Sequence, residues 1–174
     1  MTTFDATAYG PAVAEILSPP RLAVLGPGIP NAERRNQLLA FDIETAFGVR
    51  LRDRSAATAC LSGLWLYHDF LDESHSISQD LDTPEGSFWH AILHRREPDP
   101  SNSKYWWRRV GQHPVLDQLR ERAPEVGCDF TTPFAFVDFV ERVRGAGSAE
   151  EEIAKQVQLI EWQLLFDWCF TSAK

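Results

Sequence analysis

The stretch Ser148-Ala149-Glu150-Glu151-Glu152-Ile153-Ala154-Lys155-Gln156-Val157-Gln158-Leu159-Ile160-Glu161-Trp162-Gln163-Leu164-Leu165-Phe166-Asp167-Trp168-Cys169-Phe170 decides the fold class. Ser148 followed by Glu151 has the capping-box spacing of a helix N-terminus. Behind it, Ile153, Val157, Ile160, Leu164 and Trp168 recur at the period that returns a side chain to one helix face. After Ile160 the helix turns apolar nearly all round, which predicts deep burial or a homo-oligomer interface.

Upstream, the same signals recur and no alternating strand pattern competes with them. Thr132-Pro133 opens a helix bearing Phe136, Val137, Val140 and Val143, closed by Gly145-Ala146-Gly147. Pro114 opens another that runs to about Arg122, and Lys104 to Val110 forms a short aromatic and basic one. Thr83-Pro84-Glu85 sets a capping hydroxyl, a first-turn proline and an acid at the positive end of a helix that carries Phe88 to Arg96 and stops before Pro98. From the start signals Asp53 and Ser55 the chain runs to about Asp80 with Gly63 its only breaker, which predicts one long helix. Asn31 caps a helix in which Leu39, Ile43 and Ala46, beside Leu38 and Phe41, keep helical period until Gly48. Residues 1–30, punctuated by Pro19-Pro20 and Gly26-Pro27-Gly28-Ile29-Pro30, read as a wrapping arm with one short helix at 11–17. Leu22 to Leu25 fits a short extended piece, too short to build a sheet. The expectation is an all-α fold, a compact single-domain array or bundle of about six to eight helices (core 31–174) with an irregular N-terminal arm.

A chain of 174 residues, 44% hydrophobic, is long enough to bury a core. A net charge of −8 and a pI near 5.1 argue against a nucleic-acid partner, which needs a basic face. Cys60, Cys128 and Cys169 lack CxxC spacing, so reduced thiols are expected. Met1-Thr2-Thr3-Phe4-Asp5 has no leader character and no run has membrane-span length, so the expected state is soluble and cytoplasmic, with no membrane partner. Gly26-Pro27-Gly28 lacks a following Gly-Lys-Ser/Thr, which excludes a phosphate-binding P-loop.

Four of the five histidines fall between residues 68 and 94. On a continuous helix, Ala57, Leu61, Leu64, His68, Leu71 and His75 form one stripe with Asp72 and Gln79 on its flank. On the next helix His90, His94 and Glu97 lie opposite the apolar side made by Phe88 and Ile92, facing solvent or a polar cleft. Two readings stand. Either the imidazoles are separate, solvated or satisfied in the core, or the two pairs meet across the Leu81-Asp82 turn. In the second case His68, His75, His90 and His94, with Asp72, suit a divalent transition metal such as Zn²⁺, Ni²⁺, Mn²⁺ or Fe²⁺. Ala91 stands where a zincin has its glutamate, so a thermolysin-like protease is not supported.

Around the second pair the charge reverses: Arg95, Arg96, Lys104, Arg108 and Arg109 face only Glu97 and Asp99 in this span. With Tyr105, Trp106 and Trp107 beside them, they suit an anionic small molecule, or else they pair with acids elsewhere while the tryptophans fill the core. Three functions remain open on these residues: a His/Arg-lined pocket for a metal or an anionic small molecule, an interaction or scaffold domain working through the C-terminal helix, and a metal-dependent phosphoester hydrolase. His113 reads as a turn residue at a helix start.

Two resemblances bear on this. His68-Asp69 resembles the dyad of HD-domain metal phosphohydrolases, although that family's pattern needs an upstream histidine and none precedes His68. The runs Glu73 to Gln79, Gly86-Ser87-Phe88-Trp89-His90-Ala91-Ile92-Leu93-His94-Arg95-Arg96-Glu97-Pro98-Asp99 and Asn102-Ser103-Lys104-Tyr105-Trp106-Trp107-Arg108-Arg109-Val110-Gly111, with His113-Pro114, resemble a family of uncharacterised proteins of bacteria and fungi. That second resemblance spans residues 73–114 and implies no activity, cofactor or catalytic residue.

Overall fold

The computed structural model describes residues 4–48 and 50–174; Met1 to Thr3, read above as the start of a chain without a leader, lie outside them. Among the described residues there are ten α-helices, two 3-10 turns (Ala6–Tyr9 and Ala123–Val126) and no strand. Eight of the ten helices have eight residues or more, in keeping with the expected array. They are α1 (Pro11–Ile16), α2 (Ala32–Leu39), α3 (Ile43–Ala46), α4 (Arg54–Tyr67), α5 (Leu71–Gln79), α6 (Pro84–Arg96), α7 (Pro100–Val110), α8 (Pro114–Arg122), α9 (Pro133–Val143) and α10 (Ala149–Ala173).

Most starts read from the sequence are made by the side chains named there, but α7 begins at Pro100, four residues before the expected Lys104, with Asp99 accepting from Asn102 N–H. Thr83, Thr132 and Ser148 accept hydrogen bonds from the backbone N–H groups of Gly86, Ala135 and Glu151, and the His113 ring caps α8 by accepting from Val115 N–H. Asp53 does the same for Ala56. The Ser148–Glu151 box closes differently from its usual form, because the Glu151 carboxylate accepts from Gly145 and Gly147 N–H at 3.0 and 2.7 Å and so ties the preceding loop to α10. Asn31 precedes α2, but its side chain turns away from the helix toward His68.

Two expected helices are broken. The run 31–48 divides at Ala40–Asp42, where the Asp42 carboxylate caps a new turn at Glu44, and Leu39 is left 64% exposed while Leu38 takes the core position. The run 53–80 divides at His68–Phe70: Asp69 turns into left-handed backbone at φ +64, a conformation that Asp tolerates better than most residues. No glycine or proline marks this break. It is held by the arm, whose Arg21 donates to Asp69 at 2.5 Å and whose Asn31 N–H bonds the His68 carbonyl at 3.0 Å. Leu22 to Leu25 joins no ladder, in keeping with a piece too short to build a sheet.

One hydrophobic cluster runs from Tyr9 on the arm to Ala173 at the end of α10. α10 lies along α4 on one side and α8 and α9 on the other, while α6 sits between α4, α5 and α7. Every residue of α6 from Gly86 to Arg96 is buried, so the polar side expected of this helix faces other helices. In α10, Trp162, Leu165, Phe166, Cys169 and Phe170 are buried within the chain's own core, and Trp162 Nε1–H donates to Gly63 O at 2.8 Å. Deep burial therefore accounts for most of its apolar second half, while Leu164 and Trp168 stay partly exposed.

Gly63 also has no room for a side chain, since a Cβ there would stand 2.7 and 2.9 Å from ring carbons of the fully buried Trp89. Gly63→Ala is expected to destabilise the fold by about 1–3 kcal/mol through overpacking. Denaturant melts check this, and an unchanged midpoint would mean that Trp89 tilts away at no cost.

Candidate metal centre

The short connection between α5 and α6 sets these helices side by side, and α7 packs across α6. His75 on α5 and His90 and His94 on α6 then meet. Their ring centroids are 4.5 Å (His75–His90), 4.7 Å (His90–His94) and 5.5 Å (His75–His94) apart. One ligand atom from each ring lies within 4.8 Å of the others. The four-residue step from His90 to His94 stacks two rings on one helix face, and His75 reaches them from the facing helix.

Each α6 ring has a partner on its outer side. His90 Nδ1 is 3.0 Å from Ser78 Oγ, one turn along α5 from His75, and that hydroxyl donates to the His75 carbonyl at 3.3 Å. An oxygen whose proton is committed there accepts from His90 Nδ1–H, which leaves the Nε2 lone pair for the cluster. His94 Nδ1 is 2.8 Å from Glu97 Oε2, an arrangement that likewise protonates Nδ1 and frees Nε2. Trp106 of α7 lies over His90 with centroids 4.0 Å apart, and the Asn102 carboxamide, one turn earlier, approaches His94.

The electrostatics favour neutral rings at His90 and His94. Burial pushes the His90 pKa down to about 3, with the neighbouring His94 and His75 adding to the shift. His94 is also lowered by burial, against an opposing pull from Glu97. Neutral imidazole is the ligand form, so protons compete weakly for His90 and His94 at neutral pH.

His68, expected to join the cluster, does not. The break at Asp69 ends the stripe that linked it to His75, and its ring secures the arm: Nε2–H donates to Ile16 O at 2.8 Å, while Nδ1 faces Asn31 Nδ2 at 3.3 Å and Arg21 Nη1 at 3.4 Å. Asp69 is gripped by Arg21 and Arg96. The His68-Asp69 dyad is thus occupied in holding the fold, which removes the geometric basis of the HD likeness. Asp72 is exposed in the first turn of α5 and lies outside the histidine group.

The basic wall is also dispersed. Arg95 is fully buried against Glu161, with its guanidinium 4.7 Å from the Phe136 ring centre. Arg96 donates to the carbonyls of Leu66, Gly26 and Pro27 as well as to Asp69, and so joins the arm to the end of α4. Lys104 pairs with Asp138, Arg109 with Asp82, and Arg108 is exposed. Trp106 alone of those candidates contributes to the histidine site, with Arg109 stacked 5.2 Å from its ring centre. Trp107 is core, edge-on to Phe88.

Ser78 and Asn102 were not singled out by sequence reasoning. Ser78 carried a signal, because it follows His75 by three residues and shares its helix face. Asn102 carried none, since only the packing of α7 on α6 brings it to His94.

No helix is long and apolar enough to cross a membrane among the described residues. No protein-family model, curated protein or solved structure matches the chain.

Proposed function

We propose that the protein holds a divalent transition-metal ion, Zn²⁺ foremost, on His75, His90 and His94. The observation that carries this is the mutual approach of three ligand atoms to within 4.8 Å on two helices. Tetrahedral Zn²⁺ with donors at about 2.1 Å sets them about 3.4 Å apart. Closing that difference takes small rotations of three rings. Glu97 on His94 and Ser78 on His90 provide the outer hydrogen bonds that orient ligating histidines and set their tautomers. The continuous core supports reading residues 1–174 as one domain built around this centre.

The anion-pocket and phosphoester-hydrolase readings draw less support, since Arg95, Arg96, His68 and Asp69 are all engaged within the fold. Calorimetric titration of tag-free protein with Zn²⁺ is expected to show one ion per chain. Ligand loss in His90→Ala or His94→Ala is expected to weaken binding by more than about 100-fold, beyond the effect of removing an outer partner. Saturating Zn²⁺ at about 100 times the Kd adds about 2.7 kcal/mol of stability. Wild-type protein that takes up no ion at micromolar Zn²⁺, and gains no thermal stability from it, would sink the proposal.

A further inference from the structure

We infer that an ion on this triad keeps one coordination position for a small exogenous anion, so that the centre is an anion receptor built on the metal itself. The inference rests on the metal reading above.

Among the described residues, no carboxylate or thiolate joins the three imidazoles within the 4.8 Å that gathers them. Glu97 is turned to the outer edge of His94, with Oε2 2.8 Å from Nδ1. The donor set is therefore three neutral nitrogens, and a divalent ion held by them keeps its double charge. His90 and His94 are both buried. A charge placed there is costly unless an anion pairs with it. Tetrahedral ions of this kind take four donors, and a site with three histidines completes the set with water or another exchangeable ligand. Charge and coordination number call for the same occupant, an anion in the fourth position.

The packing also gives that position a side. α7 covers the two α6 rings: Trp106 lies on His90 with centroids 4.0 Å apart, and Asn102 Nδ2 stands 3.0 and 3.4 Å from the two nitrogens of His94. His75 on α5 is the half-exposed ring of the three, so solvent meets the centre along it. The buried arginines nearby in sequence take no part, because Arg95 is paired with Glu161 and Arg96 with Asp69. Recognition then rests on the metal–ligand bond and not on a guanidinium fork, which suits small monodentate anions better than phosphoesters.

The test loads tag-free wild type with Co²⁺ and titrates it with azide, using perchlorate at matched ionic strength as the non-coordinating control. A single saturable shift of the visible Co²⁺ bands is expected with azide and none with perchlorate. Linkage adds a second readout on Zn²⁺: azide at about ten times its own Kd is expected to raise the apparent Zn²⁺ affinity about tenfold in calorimetry. His90→Ala is expected to lose both the ion and the azide response. A response that survives there at wild-type strength would place it on an adventitious ion and overturn the inference; should that variant fail to fold, the wild-type titrations decide alone. Wild type that binds both metals, with spectrum and affinity unmoved by azide, would overturn the anion position and leave the triad standing. Wild type that binds neither metal would overturn both.

Discussion

Glu161→Leu is expected to cost about 3–5 kcal/mol of stability, more than the overpacking at Gly63, because it strands a guanidinium in the core. Arg95 on α6 and Glu161 on α10 are both fully buried, with Nη2 to Oε2 at 2.5 Å and Nη1 to Oε1 at 3.2 Å in a forked pair. The remaining nitrogen, Arg95 Nε, has no hydrogen-bond partner, and the flat face of the guanidinium lies on Phe136. The carboxylate is thus the main compensation for the buried charge. Removing both charges has a different consequence. Arg95→Met combined with Glu161→Leu fills a similar volume with apolar atoms and is expected to recover most of the loss, since the pair's desolvation cost vanishes with it. Urea melts of the two single variants and the double variant measure the coupling. A loss below about 1 kcal/mol in Glu161→Leu would show that Arg95 finds another counter-charge.

Acid is expected to release the arm. His68 is buried, its Nε2–H is committed to Ile16 O, and its Nδ1 faces two donors, Asn31 Nδ2 and Arg21 Nη1. A proton on Nδ1 would confront both donors. Burial, with Arg21 and Arg34 nearby, accordingly pushes its pKa down to about 4 from an ordinary 6.5. A histidine whose folded pKa is depressed binds protons more readily unfolded. Its stabilisation is complete above the ordinary pKa and is lost as pH falls toward the folded one. The window is pH 6.5 down to 4, and the loss reaches up to about 3 kcal/mol. His90 acts in the same direction in metal-free protein, its window extending to about pH 3. Glu85, lowered to about 2 by hydrogen bonds from His113 and Trp168, adds a later leg, lost from pH 4.5 downward. Denaturant midpoints between pH 7.5 and 4 measure the first leg, and His68→Gln, which keeps hydrogen-bonding groups without the titration, should flatten it. An equally steep leg in that variant would remove His68 as its source.

The helices that read clearly in the sequence are those whose ends are written in local chemistry. Thr83-Pro84, Pro114, Thr132-Pro133 and Ser148 each place a capping group and a compatible first turn within four residues, and the structure uses all of them. The misread segments are those settled from a distance. Nothing in Tyr67-His68-Asp69-Phe70 stops a helix, but Arg21 from the arm and Arg96 from α6 converge on the Asp69 carboxylate and stabilise its left-handed turn. That break moved His68 out of the stripe it shared with His75. Similarly, the arginines between His94 and Arg109 look free along the chain because Glu161, Asp69 and Asp138, which pair with Arg95, Arg96 and Lys104, lie far from them in sequence.

By itself the sequence determined that this is a helical protein, where most of its helices begin, and that histidines four apart on α6 share a face. Those features depend on neighbours a turn apart, where capping and 3.6-residue periodicity act. Only the tertiary structure decided that His75 joins His90 and His94 while His68 anchors the arm, that Asn102 stands against His94, and that Arg95 and Arg96 turn inward while Arg108 and Arg109 stay exposed. These outcomes depend on which carboxylates and carbonyls packing brings within about 3 Å, and each buried charge or ring nitrogen takes the partner that best offsets its lost hydration.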